Sequence, residues 1–402
     1  MWLSRKERNV RFLFVSTRTE CLQQIAQQRA MPRRSFLRSA AAVGTASRLF
    51  GFAPLRAAAL PRKQKTVVVT FGGGAHDEET FAPEGQENIP HLMNELIPQA
   101  TFCTQVVNHG ILGHYVATAT LATGVYEQFD NFADVAPKNP TVFEYFRKGL
   151  DRPATDTWVI APSNGFNRIG QSDGTQFAPG FGAQVILPKH LLASALRKTS
   201  TSSAGLDFLL QDNYEDPLFT PPAVQSNVQL SGLIEMLHLS VDEFTHHAKT
   251  LSSADELSVY VMRQLMRQFA PSLLWITLHD MDIAHSGAFS LYLEGIRRTD
   301  RLCAEIWQMI ENDPEYKGRT RLLILPDFGR DSDFSASGNG FQHHRTGDPL
   351  SRTTWMMALG PHIRQSRTVD RPLDSLDLVA TLGAMMNFAT PSAKGKPVFE
   401  VL

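Results

Sequence analysis

The chain has 402 residues, of which 43% are hydrophobic and 20% are charged. This composition is typical of a soluble globular protein that buries a large core. The formal net charge is -1, so the chain has no overall basic field of the kind that attracts nucleic acid or an anionic membrane surface. We therefore expect no nucleic-acid partner.

The N-terminal segment has the pattern of an export signal. Residues 32–38 read PRRSFLR, which resembles a twin-arginine signal, and a mildly apolar stretch over 39–55 and small residues at 57–59 follow it. A basic arm with a short amphipathic helix is the alternative. We predict that residues 1–59 are an N-terminal extension and signal peptide for the twin-arginine export machinery. The mature protein is then expected to be periplasmic or secreted, without a membrane span.

Four apolar runs of strand length each end in a cluster of polar residues. In a parallel α/β sheet, ligands bind beyond the carboxyl ends of the strands. We therefore predict that the clusters converge on one crevice, which is the arrangement of an enzyme site. The runs cover 65–71, 101–107, 272–278 and 320–326, and the clusters cover 72–79, 108–110, 279–285 and 327–331.

Strand-like and helix-like runs alternate along the mature chain, which indicates an α/β fold with a mostly parallel sheet sandwiched between helices. The clearest helix covers 289–310. A stretch over 162–182 rich in Gly, Asn, Ser and Pro is predicted as an exposed loop and candidate lid. We predict one domain over 60–402 with a helical insertion at about 190–270. Further predicted helices cover 88–97, 114–123, 140–150 and 373–386, and further strands cover 157–161 and 353–359.

Four blocks resemble motifs of the alkaline-phosphatase superfamily, which includes phosphodiesterases, sulfatases and cofactor-independent phosphoglycerate mutases. Residues 113–127 contain a histidine, then Leu-x-Thr-Gly, then a tyrosine, as in the block that follows the nucleophile of those enzymes. Residues 280–287 are similar to their Asp-x-x-Gly-His metal block. Asp327 begins an Asp-Phe-Gly sequence where they have Asp-His-Gly, and the pair at 343–344 stands where they have the last metal histidine. The Phe-Gly-Arg at 328–330 is similar to the Glu-Phe-Gly-Arg block of an exported, poorly characterised branch.

This resemblance implies an alkaline-phosphatase-like fold and a site for one or two divalent metals, zinc or manganese. Two such cations can clamp a phosphate or sulfate and stabilise the entering and leaving oxygens of a displacement. Carboxylates and imidazoles are suitable ligands. The resemblance implies that Asp280 or Asp282, with His285 and His344, holds one metal, and that Asp327 holds the other. Helix capping also explains the first two aspartates, and a structural ion-pair cluster explains the third.

Other residues of the clusters are candidates for catalysis and for anion binding. We predict that His109 or His114 assists proton transfer. On a helix of small residues, the second of these is alternatively a buried core histidine. Glycine lets backbone N–H groups approach an anion at the start of a helix, although it also suits a tight turn. The residues predicted to contact the anionic group of the substrate are Gly73, Gly74, Asn108, Arg330 and His343.

The sequence departs from the superfamily pattern in several respects. Glycines at 72–74 stand where the first metal-binding aspartate is expected, and Phe328 replaces a metal-binding histidine. No hydroxyl residue lies just upstream of His114, where the nucleophile is expected, and Met281 stands at the usual aspartate position before His285. The sulfatase signature Cys/Ser-x-Pro-x-Arg does not occur. These departures argue against a two-metal phosphatase and a formylglycine sulfatase.

Three functions remain open. The first is an exported metal-dependent hydrolase of phosphate, phosphonate or sulfate esters that acts on a small anionic ester. The second is a non-catalytic descendant of the superfamily that binds an anionic ligand or a partner at the cell envelope. The third is a metal-dependent phosphotransferase or mutase. The acidic and histidine clusters favour the first, whereas Phe328 and the missing nucleophile favour the second.

Overall fold

The structure is a computed structural model of the chain. It describes residues 64–402 except for 175, 178–179, 200–204, 212–234, 236, 239 and 333–338. The predicted signal peptide and much of the predicted insertion therefore lie outside the described residues. Among the helices that are described, none combines the length and the apolar character that crossing a membrane requires.

In the described residues, eight strands form one mixed, mostly parallel sheet. They are β1 (Lys65–Phe71), β2 (Thr101–Val107), β3 (Thr157–Ile160), β4 (Gln184–Ile186), β5 (Leu273–Leu278), β6 (Thr320–Pro326), β7 (Thr353–Leu359) and β8 (Arg367–Asp374). Their order across the sheet is β4-β3-β5-β1-β6-β7-β2-β8, and β7 runs antiparallel to its neighbours β6 and β2. The predicted α/β fold is confirmed.

Helices cover both faces of the sheet. They are α1 (His114–Thr123), α2 (Val142–Gly149), α3 (Pro188–Thr199), α4 (Val241–Ala248), α5 (Ala254–Phe269), α6 (Phe289–Asn312) and α7 (Asp377–Met386). One hydrophobic cluster joins α1, α2 and α7 to the sheet, and another joins α3, α4, α5 and α6 to it. Alternate residues of β1 divide between them: Val68 lies in the first cluster, and Val67 and Val69 lie in the second. Every residue of β1 is buried, as expected for a central parallel strand.

Three predicted elements differ in the structure. Residues 88–97 form short 3-10 and π turns rather than an α-helix, and Pro98 has no N–H to donate to the carbonyl of Asn94. The final helix begins later than predicted because residues 367–374 form β8. The loop predicted to be exposed over 162–182 is exposed only in part: Gln171 and Asp173 are exposed, but Phe166 is fully buried and its ring lies 5.3 Å from the His279 ring.

Helix α1 consists largely of small residues and lies inside the protein. All ten of its residues are buried. It begins after Gly113, where a Cβ would lie 2.5 Å from Oδ1 of Asn131. It ends at Gly124, whose φ of 68° is the left-handed conformation that commonly terminates helices. His114 is the first residue of α1 and is therefore held at a buried helix start.

Asp300 on α6 fixes the turns before β2. Its carboxylate accepts hydrogen bonds from the backbone N–H groups of His91 at 3.0 Å and Leu92 at 2.6 Å. Burial outweighs these bonds and raises the pKa of Asp300 to about 6. The folded state therefore favours the protonated carboxyl. The stability that this group contributes is complete below its usual pKa of 3.8 and is lost as pH rises through about 6.

We expect Asp300→Asn to remove this part of the pH dependence of stability. Between pH 4 and pH 7, the free energy of unfolding of the variant should rise by roughly 2–3 kcal/mol relative to wild type. Urea unfolding at both pH values measures the difference. Glu84→Gln, which changes an exposed carboxylate, is the control. The same pH dependence in wild type and Asp300→Asn would contradict the expectation.

Candidate metal centre

The site lies where three neighbouring strands end. Strands β5, β1 and β6 are adjacent and parallel, so the segments that follow them meet at one edge of the sheet. After β5, a 3-10 helix over Asp280–Ser286 carries Asp282 and His285, and Asp327 follows β6 directly. Helix α1 brings His114 to the same edge, and the segment before β7 brings His344.

His114 lies at the centre of the site. Its Nδ1 is 2.7 Å from Oδ2 of Asp327, and its Nε2 is 2.9 Å from Oδ1 of Asp282. All three side chains are buried. The Phe328 ring stacks on the imidazole with 4.7 Å between ring centroids. The imidazole is therefore fixed between two carboxylates and an aromatic face.

The charges of this triad are strongly coupled. Burial alone would lower the pKa of His114, but Asp327 and Asp282 outweigh burial and raise the pKa to about 9. Burial would raise the pKa of Asp282, but the charge and hydrogen bond of His114 and the hydrogen bond of His285 hold that pKa well below its usual range. Without a metal, His114 is therefore an imidazolium that donates both ring protons to carboxylates.

His285 and His344 extend the site toward the surface. The Nε2 of His285 lies 3.0 Å from Oδ1 of Asp282 and 2.9 Å from Nε2 of His344. The Nδ1 of His344 lies 2.9 Å from the carbonyl oxygen of Leu112, so this nitrogen donates. Burial and the positive charge of His114 lower the pKa of His344 to about 2. Its Nε2 therefore carries a lone pair rather than a proton at neutral pH.

These donors fit a divalent metal. One ligand atom from each of His114, Asp282, His285 and His344, the four-donor group, lies within 4.8 Å of the others. Their shortest separations are 2.9–3.0 Å, near the roughly 3.3 Å that tetrahedral zinc with bonds of about 2.0 Å sets between neighbouring ligands. Histidine ligands usually donate their other N–H to a carboxylate or a carbonyl. Asp327 accepts from His114 in this way. Three imidazoles and a carboxylate suit zinc or manganese.

The glycines after β1 let other groups approach the site closely. A Cβ on Gly72 would lie 2.2 Å from Cδ2 of His279, and a Cβ on Gly73 would lie 2.4 Å from Nη2 of Arg330. Gly73 has a φ of +77°, and its N–H donates to Oδ1 of Asp327 at 2.8 Å. The predicted anion-binding N–H of Gly73 is therefore directed to a carboxylate of the protein.

Arg330 is a buried cation next to the four-donor group. Its Nε and Nη2 donate to the carbonyl oxygens of Gly74 and Met281, each at 3.2 Å. Nη2 also lies 3.7 Å from Oδ1 of Asp282. Nη1 is buried and has no hydrogen-bond partner among the described residues. The guanidinium therefore offsets the carboxylates of the site.

The structure places other predicted residues outside the four-donor group. Asp280 pairs with Arg298 at 3.2 Å. His109 is exposed, and its backbone N–H donates to the hydroxyl of Tyr126. The remaining two predicted residues make local backbone contacts. The Oδ1 of Asn108 accepts from the N–H of Gly110, and the carbonyl of His343 accepts from the N–H of Asp331.

Asp255 on α5 supports the site, although nothing in the sequence singled it out. Its carboxylate accepts from the N–H groups of His279 and Asp280, each at 2.8 Å, and so holds the start of the 3-10 helix that carries two of the donors. Burial and the charge of Asp280 raise the pKa of Asp255 well above its usual range. In the sequence, Asp255 lies in the first turn after the N-cap Ser253. Acidic residues are common there because they interact favourably with the helix dipole, so its role could not be recognised.

Comparison with known proteins supports the fold. No family model and no curated protein matches the sequence. The phosphonate monoester hydrolase of Agrobacterium radiobacter is 12% identical, with a TM-score of 0.51 over 84% of this chain and 76% of that chain. A mutant of the alkaline phosphatase PafA is 11% identical, with a TM-score of 0.50 over 86% of this chain and 100% of that chain. The chain has an alkaline-phosphatase-like α/β fold. The expectation from the sequence blocks is confirmed at the level of the fold.

Gly73→Ala should destabilise the protein more than Gly318→Ala. Both glycines have positive φ values, +77° and +70°, but a Cβ on Gly318 would meet nothing within 4 Å. We expect about 1 kcal/mol of backbone strain in the control variant. We expect Gly73→Ala to lower the free energy of unfolding by about 3 kcal/mol, because Arg330 must also move. Urea unfolding of both variants measures this, and equal losses would contradict the close packing of Arg330.

In the metal-free protein, the ring protons of His114 should titrate with a midpoint near pH 9 in NMR spectra. Asp327→Asn removes one of the two carboxylates and should lower the midpoint by at least about one pH unit. Asp280→Asn, which changes a carboxylate paired with Arg298, should leave the midpoint almost unchanged. A wild-type midpoint at or below the ordinary value of 6.5 would show that the carboxylates do not hold the imidazolium.

Proposed function

We propose that this chain is an exported, metal-dependent hydrolase of phosphate, phosphonate or sulfate esters that holds one zinc or manganese ion. The four-donor group carries the proposal, because hydrogen bonds to Asp327 and to the Leu112 carbonyl leave the Nε2 atoms of two histidines directed into it. The fold, shared with a phosphonate monoester hydrolase and an alkaline phosphatase, supports a hydrolase. The substrate is a small anionic ester.

A bound divalent metal would supply a Lewis acid that polarises the ester and lowers the pKa of water. The protein's own residues prepare the site for an anion. Asp327 orients His114, and Arg330 keeps a positive charge beside Asp282. The side chain of His285 is 38% exposed, so the ester approaches from that side. Since His114 belongs to the four-donor group, the exposed His109 is the remaining candidate for proton transfer.

Export is part of the same proposal. The predicted signal peptide resembles those that direct proteins to the twin-arginine machinery. That machinery carries folded proteins. A metal could then be bound before the protein reaches the periplasm or the exterior, since folding assembles the four-donor group from distant segments.

A non-catalytic role in binding an anionic ligand or an envelope partner is the second candidate. In the described part of the chain, the hydrogen-bond partners of the four donor side chains are carboxylates, imidazoles and the carbonyl of Leu112. None of them is a hydroxyl or a thiol. We propose that a hydrolase built on this group uses water as its nucleophile.

His344→Ala and His343→Ala are a matched pair for testing the metal site. We expect about one equivalent of zinc or manganese in wild type and His343→Ala, and at least tenfold weaker retention in His344→Ala, because only the second histidine reaches the group. Elemental mass spectrometry after native purification measures the metal. Hydrolysis of phosphate, phosphonate and sulfate esters should fall in His344→Ala and not in His343→Ala.

The two candidate functions differ in the outcome of this experiment. Stoichiometric metal without turnover of any of the three ester classes would favour the binding role. Wild-type protein that takes up no zinc or manganese, even after supplementation, would contradict the proposed metal centre.

A further inference from the structure

Four exposed apolar side chains lie on segments that carry residues of the site or contact the start of α1. Ile111, Phe132, Ile283 and Phe289, the apolar rim, are between 42% and 67% exposed. Ile283 lies between Asp282 and His285, and Ile111 directly precedes Leu112. Exposed apolar residues that occur singly are normal, but a group of them beside a polar site indicates a binding surface.

The segments that carry Ile111 and Ile283 are connected through two histidines of the four-donor group. On one side, Ile111 is next to Leu112, whose carbonyl accepts from Nδ1 of His344 at 2.9 Å. The other nitrogen of His344 lies 2.9 Å from Nε2 of His285, two residues after Ile283. His344 and His285 therefore connect the two segments, and the side chain of His285 is 38% exposed.

The other two rim residues are also held beside the site. Phe132 follows Asn131, whose Oδ1 accepts from the N–H of Tyr115 at 2.9 Å and so caps the start of α1. The ring of Phe289 lies 5.2 Å from that of Phe341, in the segment that leads to His344. All four rim residues therefore lie on segments that carry donors of the site or contact elements that do.

We propose that the apolar rim binds the organic group of the substrate, so that the preferred ester carries an aryl ring or an alkyl chain. This inference rests on the proposed function of the site. A bound metal and Arg330 would attract the anionic group, and the organic group attached to it would then lie against the rim. Contact with an apolar group removes rim surface from water, whereas a strongly polar group leaves that surface hydrated.

Binding of two anions that have no ester bond tests the inference without turnover. Isothermal titration of the native, metal-containing protein compares phenylphosphonate with methylphosphonate. We expect wild type to bind the phenyl compound about tenfold more tightly, as burial of part of one ring would produce. The double variant Ile111→Ser/Ile283→Ser should reduce this ratio to about twofold. Phe399→Ser is the control and should keep the tenfold ratio. This side chain is 75% exposed, and its neighbour Glu400 contacts the start of β8.

Metal content, measured on each variant, shows whether the four-donor group is intact. Equal binding of the two anions by metal-containing wild type would overturn the rim inference and leave the proposed hydrolase standing. Binding of neither anion would overturn both. Phosphatidylcholine vesicles test a membrane contact instead. If the phenyl preference is absent, and wild type sediments with the vesicles while the double variant does not, the rim is a membrane contact and the inference is wrong.

Discussion

The hydrogen-bonded bridge from Asp282 through His114 to Asp327 is the contact on which the site depends. It joins the segments after β5 and β6 to the start of α1. A buried charge that loses its partner costs several kcal/mol, so each of these side chains needs the other two in place. The bridge also suits a metal. A cation can replace the proton between His114 and Asp282, while the bond to Asp327 keeps the imidazole in its orientation.

The residues at positions that depart from the superfamily pattern contact one another or neighbouring groups of the site. Glycines replace the aspartate expected after β1, and the room they leave is used by Arg330 and His279. Phe328, in place of a histidine, stacks on His114. Asp327 accepts hydrogen bonds from Gly73 and His114. These contacts agree with the proposal of one metal, because the residues at the positions of a second ion's ligands serve the protein's own packing and charge balance.

The sequence predicted the parts of the fold that depend on local pattern. Apolar strand runs and the periodic helix at 289–310 correspond to β1, β2, β5, β6, β7 and α6. It missed β8, which pairs with β2. The residues of β8 are partly exposed, and such a strand has little hydrophobic periodicity. The buried stretch around Phe166 was also missed, since glycine and serine content does not reveal which loop packs against the site.

The sequence by itself determined the α/β architecture and the presence of acidic and histidine residues at the strand ends, because strand and turn signals are local. Only the tertiary structure decided which donor atoms meet. His114 is 168 residues from Asp282 and 213 from Asp327 along the chain. His343 and His344 are neighbours in sequence, yet only the second joins the four-donor group. Ligand geometry depends on side-chain direction and on separations of a few ångströms, and these are set by packing between distant segments.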